Sequence, residues 1–369
     1  MRVIFLRSEE LTLENHAVVS KSSYVSWLRN AASIFGSVDC VSPCDDPEIE
    51  EMFGYQDGGI KVSFVPQMRG YFRPLINFLR IYKVVRATGS HEICVIRIPD
   101  HGVFSWYAAA RLTGHKNIVL WRVADRMGIA KSHKTLGSQL VNRVFASFER
   151  FLSNRYTTLQ NGFFQDTAKL KSIHGSSLMR VQSESFKTTD HDGIVRFFGR
   201  ISREKNLEVL VDAAAILKSQ RFEIVGRESD EQYLRELQSL IGDHGLENVS
   251  FVPEMSFGPD LFAKIARSKT IILPSTSEGA SRSILEALGF GVPVVVSNIP
   301  PNRDIIDRID LAEHLTFDPA DPSDLVRSLE FCGIFRSEVV SNIEAHDFYF
   351  QDWVIRKLGS VFYDECHRV

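Results

Sequence analysis

From Ile194 onward the chain alternates short β-branched runs with stretches of helical spacing, and this alternation constrains the fold more than any other feature. Strands are predicted at Ile194–Phe198, Phe222–Val225, Val249–Val252, Thr270–Leu273, Val292–Val296 and Leu315–Phe317. Helices fall between them at Leu207–Leu217, Glu231–Ile241, Asp260–Arg267, Arg282–Phe290 and Pro322–Cys332. Such a pattern demands crossover connections and a mostly parallel sheet. A first half with the same character precedes it. There the strands are Val3–Leu6, Asp39–Val41, Lys61–Val65, Ile93–Ile98 and Asn117–Val123, and the helices Ser22–Phe35, Arg73–Ala87, Phe104–Thr113 and Leu136–Arg150. The polar stretch Gln182–Gly193 separates the halves and reads as a linker. A chain of 369 residues is long enough for two domains with separate cores.

The expected fold class is α/β, with two Rossmann-like, doubly wound domains. The first is placed at 1–181, the linker at 182–193, the second at 194–345 and a closing helical segment at 346–369. Met1–Glu10 reads as a short strand followed by charge rather than a secretory signal, and no run of about 18 apolar residues suggests a membrane span. Five scattered cysteines form no disulfide or zinc framework, which fits a reducing, cytoplasmic setting. Charge is uneven. Residues 61–155 carry 16 Lys/Arg against 4 Asp/Glu, while the chain as a whole has a net charge of −3. That block predicts an anionic surface or partner for the first half.

Ligands of open parallel sheets bind beyond the carboxyl ends of the strands. In the second half those positions hold Gly199-Arg200, Gly226-Arg227, Pro253-Glu254, and Pro274-Ser275 with Glu278. Gly199 permits close backbone approach. Arg200 offers a forked donor, and Lys205, expected to open the next helix, a point charge; the pair suits a diphosphate. The small residues Gly279, Ala280 and Ser281, then Arg282 and Ser283, lead into a helix whose start attracts phosphate. Glu278 is placed to accept sugar hydroxyls and Glu286, inside an apolar stretch of that helix, a ribose diol. Asp190-His191-Asp192 reads as linker rather than metal site, and Gly289-x-Gly291 leaves a helix for a strand, the reverse of a dinucleotide fingerprint.

Taken together, Gly-Arg-x(4)-Lys after a strand and Glu-Gly-x(6)-Glu-Ala-Leu-Gly-x-Gly-Val-Pro-Val-Val resemble the family 4 glycosyltransferases of the GT-B fold, the glycosyl transferases group 1. The resemblance is close from Val195 to about Pro300. It implies two domains facing a central cleft, with a last helix returning to the first domain. It implies a retaining, metal-independent hexosyl- or N-acetylhexosaminyltransferase in which Arg200 and Lys205 neutralise the diphosphate of a UDP- or GDP-sugar. Glu278 would hold the sugar with Ala280 and Ser281, Arg282 and Ser283 would offer amides to phosphate, and Glu286 would grip the ribose. No cofactor or metal is implied. The acceptor would be a glycan or lipid-linked glycan of bacterial surface polysaccharide synthesis.

In the first half the family's glycine-rich loop is replaced by Arg7-Ser8-Glu9-Glu10. Asp125, after the Asn117–Val123 strand, and His101, after Ile93–Ile98, are the candidates there to face the reaction. Arg69–Arg86 mixes cations with aromatic and aliphatic residues, which suits either a helix at the inner face of a membrane or a packing helix of the first domain with a solvated basic face. Two alternatives accompany this reading: a GT-B nucleotide-sugar epimerase, and a catalytically inactive GT-B binding subunit.

Overall fold

A computed structural model of the chain describes residues 1–7, 11–14, 17–19, 24–44, 55–57, 59–68, 70, 72–122, 136–161, 166–173, 178–188, 190–278 and 281–367. It divides into two units, Met1–His174 with Ile355–Val369, and Gly175–Val354.

The first unit holds an eight-stranded sheet in the order β10-β9-β8-β7-β1-β4-β6-β5. Its strands are β1 (Arg2–Leu6), β4 (Ser37–Cys44), β5 (Tyr55–Asp57), β6 (Ile60–Pro66), β7 (Ile93–Ile98), β8 (Ile118–Arg122), β9 (Thr157–Asn161) and β10 (Leu170–Ile173). All pairings are parallel except β5 with β6. A small antiparallel hairpin, β2 (Thr12–Glu14) with β3 (Ala17–Val19), stands outside it. The central strand β1 buries Val3, Ile4, Phe5 and Leu6 alike, as a strand covered on both faces must. The end of the chain completes this unit. In the helix Gln351–Cys366, Phe362 meets Phe35 at a ring distance of 5.5 Å, and Glu365 accepts a 2.6 Å hydrogen bond from the Thr157 hydroxyl.

The second unit holds a six-stranded, wholly parallel sheet in the order β13-β12-β11-β14-β15-β16. These are Val249–Val252, Arg221–Val225, Ile194–Phe198, Thr270–Leu273, Val294–Ser297 and Thr316–Phe317. Counted within the unit the order is 3-2-1-4-5-6, that of a doubly wound dinucleotide-binding fold. Its topological switch point therefore lies between β11 and β14.

The stretch expected to be a linker is partly ordered as the helix Arg180–Phe186. Ser183 of that helix is buried, and its hydroxyl donates to the Gly289 carbonyl. Polar composition marked the segment as loop because its apolar residues are few, but Ser183 against Gly289 and the Phe186 ring edge-on to Phe262 at 5.7 Å seat the helix. Asp192 has a structural task at the opposite end of β11 from the switch-point loops. Its carboxylate holds the buried Arg196 with contacts of 3.0 and 2.6 Å, and Arg196 also donates to Glu223 at 2.8 Å. Burial pushes the Asp192 carboxyl upward, but the hydrogen bonds and charge of Arg196 outweigh it and leave the group below its ordinary range.

Candidate functional site

The parallel register aligns Phe198 with Val225 and Val225 with Val252, and Leu273 with Val296, so the loops that follow these strands emerge along one edge of the sheet. Two glycines let the loops nest. A Cβ on Gly226 would lie 1.7 Å from the Gly199 carbonyl oxygen, and a Cβ on Gly199 would lie 2.9 Å from the Phe197 ring. Both positions thus have a packing reason to be glycine, whatever ligand they also meet.

After β11 the chain forms a short 3-10 turn, Arg203–Lys205, and stops it at Asn206, whose φ of 50° is left-handed. Lys205 therefore ends a turn instead of opening the following helix, which spans Glu208–Ile216 and has an acidic residue in its first turn. The difference follows from Asn206. Its side-chain amide donates to the Pro319 carbonyl at 2.8 Å and the Pro274 carbonyl at 3.3 Å, tying the turn to the loops after β16 and β14 and delaying the helix. Thr276 strengthens the tie by donating its N–H to the Glu204 carbonyl at 2.9 Å.

This tie brings two sequence-distant candidates together. Lys205 Nζ lies 2.5 Å from Glu278 Oε1, and the two side chains are only 12% and 11% exposed. Ser275 Oγ donates to the same carboxylate oxygen at 2.6 Å. Behind Ser275, the Ser297 hydroxyl donates to the Ser275 carbonyl, and the buried Asn302 amide donates to Ser297 Oγ at 3.0 Å and to its carbonyl at 3.1 Å. A buried charged pair is stable only when its geometry is good and its remaining valences are met. Here Ser275 adds a second hydrogen bond to Glu278 Oε1, and the Ser297 and Asn302 chain holds the Ser275 backbone in place. Arg200, by contrast, is more than half exposed and pairs with Glu204 at 3.3 Å, a surface contact that leaves it able to turn toward an anion.

The helix Arg282–Gly289 starts beside this cluster. Ser281 caps it in an extended conformation, its hydroxyl 3.0 Å from that of Ser283, and Arg282 is exposed. Glu286 is half-buried between the buried Leu285 and Ala287, and its carboxylate accepts no hydrogen bond from any described residue. Burial raises its pKa to about 7, against a smaller opposing pull from Arg282. An acid in this condition is set to welcome hydroxyl donors.

Of the residues singled out in the sequence, Gly199, Arg200, Lys205, Gly226, Glu278, Ser281, Arg282, Ser283 and Glu286 thus fall on one edge of the second sheet, on or beside its switch point. Gly279 and Ala280 lie outside the described residues, as do Asp125 and, in the loop after β1, Ser8–Glu10. His101 belongs to the first unit. It is exposed in the turn after β7, next to β1, where Asp100 shapes the turn by accepting the Gly102 N–H at 2.6 Å. The supporting residues Asn206, Ser297 and Asn302 carry no motif of their own. The only hint in the sequence was an asparagine just past a turn of charged residues, a place suited to left-handed backbone. Among the described residues, no group of three or more His, Cys, Asp or Glu side chains is arranged to hold a metal ion.

Comparison with known proteins agrees with this geometry. The family model for "Glycosyl transferases group 1" matches residues 180–332. The chain is 33% identical over 129 residues to the D-inositol 3-phosphate glycosyltransferase of Paenarthrobacter aurescens, covering 33% of this chain and 30% of that protein. It is 31% identical over 153 residues to that of Arthrobacter sp. FB24, covering 36% of each. The matched part is thus about a third of the length of these curated relatives. Among solved structures, Anabaena HepE in complex with UDP and glucose superposes with a TM-score of 0.69 at 16% identity, over 99% of this chain and 100% of that one. Sucrose-phosphate synthase from Thermosynechococcus elongatus gives 0.63 at 15%, over 98% of both chains. At such identities the likeness speaks for the fold. The switch-point cluster falls within the residues that the family model matches, so the second unit is similar to the glycosyl transferases group 1, and the chain shares the two-domain α/β fold of the solved GT-B structures.

Proposed function

We propose that the protein is a retaining glycosyltransferase that moves a hexosyl or N-acetylhexosaminyl group from a UDP- or GDP-sugar to a glycan or lipid-linked glycan acceptor. The observation that carries this reading is the Lys205–Glu278 pair, cation and carboxylate held together on the loops after β11 and β14 at the switch point. The roles divide by chemistry. Lys205 and Arg200 neutralise the donor diphosphate, and the N–H groups at the start of the Arg282–Gly289 helix add to the positive field. Glu278 accepts hydrogen bonds from the sugar hydroxyls, and Glu286 from the ribose diol.

In the transfer, the bond from the anomeric carbon to the diphosphate oxygen breaks and its electron pair leaves with the nucleoside diphosphate. The acceptor oxygen bonds to the same face of the sugar, and its proton passes to the departing diphosphate. Fixed cations stabilise the charge that grows on the leaving group, so the reaction needs no metal for that purpose. UDP is favoured because HepE, which shares the fold, was solved with UDP and glucose. Synthesis of a bacterial surface polysaccharide suits an enzyme with this donor and acceptor.

NMR of the product formed from an α-linked donor tests the reading. An α-linked product formed equally well in EDTA is expected. A β-linked product defeats retention, and loss of rate in EDTA defeats metal independence. Release of nucleotide with an epimerised sugar and no acceptor would instead mark an epimerase.

A further inference from the structure

We propose that a three-helix layer of the first unit docks on an anionic lipid bilayer. Its helices are Phe78–Ala87 (preceded by the short Arg73–Ile76 turn), Val103–Leu112 and Leu136–Arg155. They form one layer because their inner residues, including Ile81, Val85, Trp106, Ala110, Phe145 and Leu152, share a single hydrophobic cluster. Phe104 stacks on Phe148 at 4.2 Å, and Ser105 Oγ donates to the Pro74 carbonyl at 2.9 Å.

What the layer turns outward is unusual. Phe72, Leu75, Ile76 and Leu79 are 68%, 51%, 79% and 71% exposed, a run of large apolar side chains along one helix edge. Leu140 and Val144 of the third helix are also exposed. Between residues 72 and 88 the chain carries Arg73, Arg80, Lys83 and Arg86 and no acid, and all four cations are exposed. The other two helices add four arginines and one acid, Glu149, which is buried and accepts the Asp100 N–H at 3.3 Å. The outer surface of the layer is therefore positive and studded with aliphatic residues.

Scattered exposed leucines need no explanation, but a contiguous apolar ridge does. An apolar ridge flanked by cations matches the interface of an anionic membrane, where the aliphatic groups enter the acyl boundary and the cations meet headgroup phosphates. A nucleic acid would satisfy the charge and leave the ridge in water. No helix among the described residues is long and apolar enough to cross a membrane, so the contact is with its surface. The structure also refines the expectation for Arg69–Arg86. Ile81 faces the core, the helix is broken at Asn77, and the exposed ridge lies on the short turn and the start of the next helix. Arg69 itself is outside the described residues. The inference stands independently of the donor reading.

The test is flotation of the full chain with vesicles of phosphatidylcholine alone or mixed with phosphatidylglycerol. Binding is expected only with the anionic lipid, and to weaken about tenfold or more between about 0.1 M and 1 M salt, as the Debye length shrinks. The exposed pair Ile76→Glu with Leu79→Glu, and separately Arg80→Glu with Lys83→Glu, should each lower binding about tenfold. Both variants should keep the wild-type unfolding temperature and its shift on adding UDP or GDP, which shows that the fold survives. Three results would overturn the proposal: no flotation of the wild type, flotation of both variants like the wild type, or a wild-type dimer in the absence of lipid that Ile76→Glu with Leu79→Glu splits.

Discussion

Lys205 Nζ and Glu278 Oε1 lie 2.5 Å apart although 73 residues separate them in the chain. Each is mostly shielded from water, so each depends on the other until an anionic ligand or a hydroxyl arrives. Lys205→Ala and Glu278→Ala should each lower transfer by about 10²-fold or more, the size seen when a fixed charge-stabilising group is removed. Each should also destabilise the second unit by about 1–3 kcal/mol, because the remaining partner is left unsatisfied. The double variant should recover part of that stability and none of the activity. Steady-state kinetics and chemical denaturation of the three proteins check this, and wild-type rates in either single variant would remove the pair from the mechanism.

Ser275 is the group that orients Glu278 without itself needing to touch the ligand. Ser275→Ala should lower kcat about tenfold or less with the fold intact, since one hydrogen bond to a charged acceptor is lost. Asn302→Ala should show a milder form of the same defect with a larger loss of stability, because Asn302 is fully buried. Equal defects in kcat from Ser275→Ala and Glu278→Ala would mean that Ser275 acts directly.

Glu286 makes a pH prediction. Its folded pKa is raised from 4.5 to about 7, so the folded chain holds this proton more tightly than the unfolded chain does. The stabilising contribution is full below the unfolded value and is lost as pH rises through about 7. Glu286→Gln should therefore be more stable than wild type at pH 8, by up to about 3 kcal/mol, and equal to it at about pH 4. Donor hydroxyls favour the ionised acid, so wild-type nucleotide affinity should rise with pH through the same range and level off above it. Nucleotide affinity of Glu286→Gln should be lower and flat. A wild-type affinity that does not change with pH would separate Glu286 from the ribose.

Arg196 predicts acid sensitivity of the opposite sign. Its partners Asp192 and Glu223, the latter also held by Lys264 at 2.8 Å, both lie below their ordinary range because hydrogen bonds and charge exceed the cost of burial. Their contribution is present above the unfolded carboxylate range and is lost as pH falls through the lowered folded values. Glu223→Gln should cost about 1–3 kcal/mol at pH 7 and progressively less in acid. Thermal unfolding against pH reads this directly, and a constant difference between the two proteins would show that the network contributes no pH dependence.

The second unit was legible because period and motif agree there. All six of its strands are readable as β-branched runs, and the polar residues that follow them fall on one edge of the sheet. The first unit was harder. Strand β9 reads Thr-Thr-Leu-Gln-Asn, and its Thr157 and Thr158 are buried hydroxyls that look like loop in a sequence. The helix Arg180–Phe186 was hidden for a related reason, since its one fully buried residue, Ser183, is polar. At the site, the sequence supplied the charged groups but not their support. Asn206, Ser297 and Asn302 act by satisfying backbone and hydroxyl groups, work that leaves no spacing pattern, and the Lys205–Glu278 contact depends on the left-handed turn that Asn206 permits.

The proposed donor site is the edge defined by Lys205 and Glu278, which takes the diphosphate of a nucleotide sugar. Calorimetric titration of UDP and GDP into the wild type and Lys205→Ala tests it most directly. Saturable binding of at least one of the two nucleotides by the wild type is expected, weakened about tenfold or more in Lys205→Ala, the loss of one charge-assisted contact. Equal affinity of the two proteins for that nucleotide, or no binding of either nucleotide by the wild type, would contradict it.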